Sequence, residues 1–201
     1  LGQGDFTRDI REDELVKRER REPPRYVIEE SDTDYHQARE HYLTSTALRE
    51  FKRCPRHYRR IATGVSAPKF DDKSMRIGRA IHSLALEGRK AFEADFIVAP
   101  INPQTGKPFD RRTKAFQEFA ASHRDKTILS ADEAASVESM AMAIRESEEA
   151  SWLLSDGWPE AVVRIDGFLG VPVQAKIDWL SESRGIVDLK STSSIETFEE
   201  Y

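Results

Sequence analysis

Three consecutive stretches decide the reading of the fold: Glu160-Ala-Val-Val-Arg-Ile-Asp-Gly-Phe168, Val171-Pro-Val-Gln-Ala-Lys-Ile-Asp-Trp-Leu180 and Gly185-Ile-Val-Asp-Leu-Lys190. Before Pro159 apolar residues recur every three or four positions; after it they alternate. Alternation marks a half-buried strand. The spacing therefore predicts strands over 160–168, 171–180 and 185–190, with turns at Leu169-Gly170 and over 181–184. Such short turns join antiparallel neighbours, so the strands form a meander. Helices first and a meander last predict an α+β fold, or a mixed sheet flanked by helices.

Working outward, the helical half carries its own punctuation. Thr44-Ser45-Thr46 offers capping hydroxyls before Ala47-Leu48-Arg49-Glu50-Phe51. Leu48, Phe51 and Cys54 are spaced to share an apolar face, with Cys54 buried on it, and Pro55 breaks or restarts the helix. Arg49, Arg53, Arg56 and Arg60 recur at helical spacing, which predicts a basic face. A second helix covers 74–87, with Ile77, Ile81 and Leu84 as its core stripe and Gly88 just past its end. His82 lies one turn after Gly78 on the same side, so another backbone or side chain could approach it closely. Residues 98–112 read as a loop punctuated by Pro100, Pro103, Gly106 and Pro108, and Arg111-Arg112-Thr113-Lys114 leads into a short helix. Ser130 with Glu133 is a capping box that opens a long helix to about Glu149.

Composition sets the limits. The chain has 201 residues and a net charge of −5, enough for one domain with a tail. Residues 1–40 are half charged and poor in large apolar side chains, so they read as a mobile arm or linker, with a solvated helix over 8–22 stopped by Pro23-Pro24. The domain proper then spans 41–201. A single Cys excludes a disulfide framework and any four-Cys metal site within the chain. No apolar run reaches the ~18 residues of a membrane span. The opening residues Leu1 to Asp5 lack the basic and apolar parts of a secretory leader, so the expected compartment is the cytoplasm. Net acidity argues against a protein that coats nucleic acid by bulk charge, but leaves room for a local basic groove.

The chemistry concentrates in the last two strands. Alternation puts Asp188 and Lys190 on one face of their strand, and Gln174, Lys176 and Asp178 on one face of the strand before it. If these strands are neighbours, Asp178 and Asp188 face the same space. Two such carboxylates repel unless a hard cation such as Mg²⁺ neutralises them. The competing reading of Asp188 and Lys190 is a surface ion pair worth under ~1 kcal/mol.

Asp178 followed by Asp188-Leu189-Lys190 resembles the core of the PD-(D/E)xK nuclease superfamily. Gly78-Arg79-Ala80-Ile81-His82 resembles the G-x-x-x-H helix of the branch containing the RecB nuclease domain and exonuclease VIII, and Ser45 with Cys54-Pro55 and Tyr58 is similar to the opening of that branch. Glu160 matches its acidic strand position. Arg111-Arg112-Thr113-Lys114-Ala115 resembles the exonuclease VIII-like group of phages and prophages. The likeness covers about 43–201, and the family continues past D-x-K with a further helix and sheet, so the C-terminal part of the fold is expected to be missing here.

The resemblance implies an α/β-type nuclease core and metal-assisted phosphodiester hydrolysis. It makes Asp178, Asp188, His82 and the Leu189 carbonyl ligands of Mg²⁺ or Mn²⁺. It makes Lys190 the residue that positions the attacking water or stabilises the pentacovalent state, and Glu160 a group that orients ligands or water. Arg53, Arg56, Arg111, Arg112 and Lys114 would hold the DNA backbone. The function expected is a metal-dependent exonuclease acting at double-stranded DNA ends in recombination. A single-strand annealing protein as partner and a homo-oligomeric ring are expected with it. An endonuclease of the same superfamily and a non-catalytic DNA-binding scaffold are the alternatives.

Overall fold

The computed structural model describes residues 24–63, 73–106 and 108–192. The proposed helix over 8–22 lies outside them. In chain order the described elements are α1 (Asp32–Gln37), α2 (Ser45–Arg53), α3 (Pro55–Ala62), α4 (Lys73–His82), α5 (Arg89–Asp95), β1 (Phe96–Val98), α6 (Lys114–Ser122), β2 (Thr127–Leu129), α7 (Ala131–Glu146), α8 (Glu148–Leu153), β3 (Trp158–Phe168), β4 (Val171–Ser181) and β5 (Gly185–Val187). The fold is α+β. Both parallel and antiparallel pairing occur, in separate sheets: β1 runs parallel to β2, while β3, β4 and β5 form the antiparallel meander in that order.

The meander matches its alternation. Trp158 pairs with Leu180, Val163 with Ala175, and Trp179 with Val187. The β3–β4 hairpin turns at Leu169 and Gly170, both at positive φ (51° and 81°). That geometry suits the right-handed twist of the flanking strands. Before β3, Gly157 sits at φ 146°, where a Cβ would lie 2.4 Å from the Leu180 carbonyl oxygen. Only glycine lets the chain enter the sheet there.

The main core lies between α4, α7 and the β1–β2 pair, where Ala80, Ile81, Leu84, Phe92, Phe96, Leu129, Val137 and Ala141 pack together. Phe92 stacks on Phe96 at 5.2 Å between ring centroids. A second cluster holds Leu86, Leu154 and Trp179 under β5. The Leu189 side chain packs against both clusters, which anchors the segment after β5 to the helices. Ser130 and Glu133 form the capping box, and Thr44 caps α2 through the Ala47 N–H.

Several expectations need correction. Residues 24–40 do not form a detached arm. Val27 packs with Ala161 and Leu180, and the Ile28 N–H donates to the Val162 carbonyl at 2.8 Å. Tyr35 is buried and its carbonyl accepts from Gln174 Nε2 at 3.1 Å. The domain therefore reaches back at least to residue 24. Cys54 is exposed and extended between two helices, because Pro55 starts α3 and denies the chain a continuous helix. Arg49 and Arg53 consequently ride on α2, and Arg56 and Arg60 on α3, so they do not share one helix face. Leu48 and Phe51 are about half exposed. The long helix ends at Glu146, where Ser147 caps α8. The helix over 74–87 turns into a π-helical stretch after His82, closed by the Gly88 N–H on the Ser83 carbonyl at 2.9 Å. The third strand stops at Val187 rather than Lys190.

Candidate metal centre

His82 ends α4, Glu160 stands near the start of β3, and Asp178 stands on β4. Each offers one ligand atom, and the three atoms lie within 4.8 Å of one another. His82 Nδ1 is 3.7 Å from Glu160 Oε1 and 3.7 Å from Asp178 Oδ2. The other ring nitrogen, Nε2, meets the Leu189 carbonyl at 2.7 Å. A carbonyl only accepts, so Nε2 carries the proton. In the neutral ring the Nδ1 lone pair then faces the two carboxylates, which is the tautomer a metal ligand needs.

The chain reaches this arrangement through three local features. The Leu189 N–H donates to Asp178 Oδ2 at 2.8 Å. A side chain thus takes the place of a ladder partner, which is why β5 ends before Asp188. Ser191 also lies against Gly78, 3.6 Å from where a Cβ would stand, so the segment after β5 does come close to α4 beside His82. Glu160 is left-handed at φ 50°, unusual for a residue with a Cβ. Such backbone costs on the order of 1–3 kcal/mol and is concentrated at functional sites.

Electrostatics tie the group together. The Glu160 carboxylate foremost raises the pKa of His82 above its ordinary value, against burial, with Asp178 and the Leu189 carbonyl adding to it. Burial pushes the Glu160 carboxyl up, but His82 and Lys176 outweigh it and hold it below the usual range. Lys176 Nζ lies 2.8 Å from Glu160 Oε2 and also pairs with Asp32 of α1. Burial opposes the Lys176 charge, and these two acids prevail and raise its pKa.

Of the residues expected at the site, His82, Glu160, Asp178 and the Leu189 backbone come together. Asp188 lies outside the three-residue cluster. The register that pairs Trp179 with Val187 would set Asp188 opposite Asp178, but its carboxylate accepts from Lys190 Nζ at 2.7 Å. Both side chains are more than half exposed, at 56% and 57%. Such a pair is worth under ~1 kcal/mol, so Lys190 is readily released to another anion. Arg53, Arg56, Arg111, Arg112 and Lys114 are all exposed. Arg111 and Arg112 border a cleft of about 440 Å³ floored by Phe109, Phe116 and Ile128, which shares no residue with the His82 cluster. Sequence reasoning gave Lys176 and Asp32 no role. Lys176 shares a strand face with Asp178, which was a usable signal, whereas Asp32 is 144 positions from its partner and left none.

One imidazole and two carboxylates, partly open to solvent, make a mainly oxygen donor set. It fits Mg²⁺ or Mn²⁺ better than a soft metal. Residues 44–199 match a family model described as a PDDEXK-like domain of unknown function (DUF3799). No curated protein and no solved structure matches the chain.

Proposed function

Since the chain belongs to this PDDEXK-like family across residues 44–199, we propose that it is a divalent-metal-dependent deoxyribonuclease that hydrolyses duplex DNA from its ends. The observation that carries the reading is the His82–Glu160–Asp178 cluster, closed by the backbone of the Asp188-Leu189-Lys190 segment.

His82, through Nδ1, and Asp178 would hold the cation, with Asp188 completing its shell, whereas the Leu189 carbonyl, expected as a ligand, accepts from Nε2 on the far side of the ring and would orient the imidazole instead. When bound, the cation lowers the pKa of a water and stabilises charge on the phosphate. Glu160 orients that water or the ligands around it. Lys190 exchanges its exposed Asp188 partner for the scissile phosphate, where an ammonium steadies the pentacovalent charge. Arg53, Arg56, Arg111, Arg112 and Lys114 bind phosphates along the duplex, which sets register without reading sequence. The exonuclease VIII-like reading further assigns the enzyme to recombination in a bacterial or phage-infected cytoplasm. There it would hand a single strand to an annealing protein and act as a homo-oligomeric ring. No described helix is long and apolar enough to cross a membrane.

The test is digestion of linear and closed-circular duplex DNA, with Mg²⁺, with Mn²⁺ and with chelator. Loss of linear DNA alone, dependent on metal, is the expected result. Cutting of the circle would replace the exonuclease by an endonuclease. Silence on both substrates, together with DNA binding, would favour the scaffold.

A further inference from the structure

We propose that Lys176 is a positioning residue for the metal centre, and that Asp32 in α1 makes the segment 24–40 part of that centre. The proposal rests on the metal-centre reading above. Glu160 divides its oxygens: Oε1 faces His82 Nδ1 at 3.7 Å, and Oε2 meets Lys176 Nζ at 2.8 Å. An ammonium on one oxygen fixes the direction of the other.

Lys176 is fixed in turn. Its side chain is 21% exposed, and its second partner is the Asp32 carboxylate. Asp32 opens α1, which Ser31 caps through the Asp34 N–H. Around it, Glu30 pairs with Arg164 Nη2 at 2.6 Å, and the Tyr35 carbonyl accepts from Gln174 at 3.1 Å. Arg164 also donates from Nε to Gln174 Oε1 at 3.0 Å. Together with the Ile28–Val162 bond, these contacts hold the segment to β3 and β4, and the one through Asp32 leads to Glu160. A chain of alternating charge, Asp32–Lys176–Glu160–His82, joins α1 to the candidate ligands. Two roles of Lys176 can be told apart. As a mere counter-charge it would compete with the cation, and its removal would tighten metal binding. As a positioning residue it orders a ligand, and its removal loosens binding.

The experiment uses the full chain. Mn²⁺ affinity is measured by calorimetry for the parent, Lys176→Met, Lys176→Arg, Asp32→Asn and the Asp32→Asn/Lys176→Met pair, each checked for its fold by circular dichroism. The His82 imidazole is followed by NMR in the metal-free chains. Lys176→Met is expected to weaken Mn²⁺ binding about tenfold, as for other groups that orient metal ligands. Lys176→Arg should recover binding to within about threefold. Asp32→Asn should weaken it about threefold and add little to Lys176→Met, because both act through one path. The His82 signals should move in Lys176→Met and in Asp32→Asn. Equal or tighter Mn²⁺ binding by Lys176→Met, with His82 unmoved, overturns the proposal while leaving the metal centre intact. No Mn²⁺ binding by the parent, with His82 still responding to both substitutions, sinks the metal centre and keeps the positioning chain.

Discussion

Leu189 and Asp178 are joined by a backbone-to-carboxylate hydrogen bond of 2.8 Å from the Leu189 N–H to Asp178 Oδ2. The carbonyl of the same residue accepts from His82 at 2.7 Å. One peptide segment thus orients an acid through its N–H and an imidazole through its C=O, while its side chain is anchored in the core. The site is built on packed strands and a helix end, so it is held in place before any cation or DNA arrives.

Lys190→Ala should separate chemistry from metal binding. Among the described residues the Lys190 ammonium pairs with Asp188 in an exposed ion pair, so thermal stability should stay within about 0.5 kcal/mol of the parent. Mn²⁺ affinity should change less than twofold, whereas the rate of DNA hydrolysis should fall on the order of 100-fold or more. Calorimetry and a single-turnover digestion check both halves, and an unchanged rate would remove Lys190 from the mechanism.

Metal affinity should depend on pH through His82. Its pKa is raised, so in the metal-free chain the proton binds the folded state more tightly than the unfolded one, whose value is near 6.5. That contribution to stability is present below about 6.5 and is lost as pH rises through the folded value. A cation needs the neutral ring and competes with this proton. Mn²⁺ affinity should therefore fall as pH is lowered through the raised pKa, and level off above it. A His82→Gln chain should bind Mn²⁺ more weakly and lose that dependence, as titrations at several pH values would show.

Acid should act elsewhere. Burial raises the Glu133 pKa, but Arg76, at 2.5 Å, and the Ser130 N–H outweigh it and hold the carboxyl below its ordinary 4.5. Its contribution is present above about 4.5 and is lost as pH falls through the lower folded value. Urea unfolding should show this loss, and Glu133→Gln should flatten it. Ser130→Ala should cost about 1 kcal/mol at neutral pH through the lost cap, without altering Mn²⁺ affinity.

Gly157→Ala should be among the most damaging small substitutions. A Cβ there would meet Leu180 backbone at 2.4 Å and Trp179 Nε1 at 2.6 Å, at a φ of 146° that side-chain-bearing residues rarely adopt. A loss of at least about 2 kcal/mol is expected in urea unfolding with an unchanged m-value.

Local signals made much of this architecture readable. Alternation over 160–180 set two strands to within two residues of their ends, and Ser130-x-x-Glu133 and Thr44 marked two helix starts. What escaped depends on distant partners. Val27 and Tyr35 look like isolated apolar residues in a charged stretch, and only the sheet gives them a surface to cover. The three-residue strands β1 and β2 are too short for a period to show, and pair across about 30 intervening residues. Asp178, His82 and Glu160 were legible as residue types in order. Asp188 lies just past the last ladder pair, Trp179 with Val187, and its carboxylate accepts from Lys190, a partner choice that spacing does not encode.

The account stands or falls on where a cation sits. The most direct measurement is an anomalous difference map at the manganese edge, from crystals of the chain grown with Mn²⁺. The account predicts a peak within coordinating distance of His82 Nδ1 and Asp178, bordered by Glu160. A peak elsewhere with that cluster empty, or no peak at saturating Mn²⁺, would contradict it.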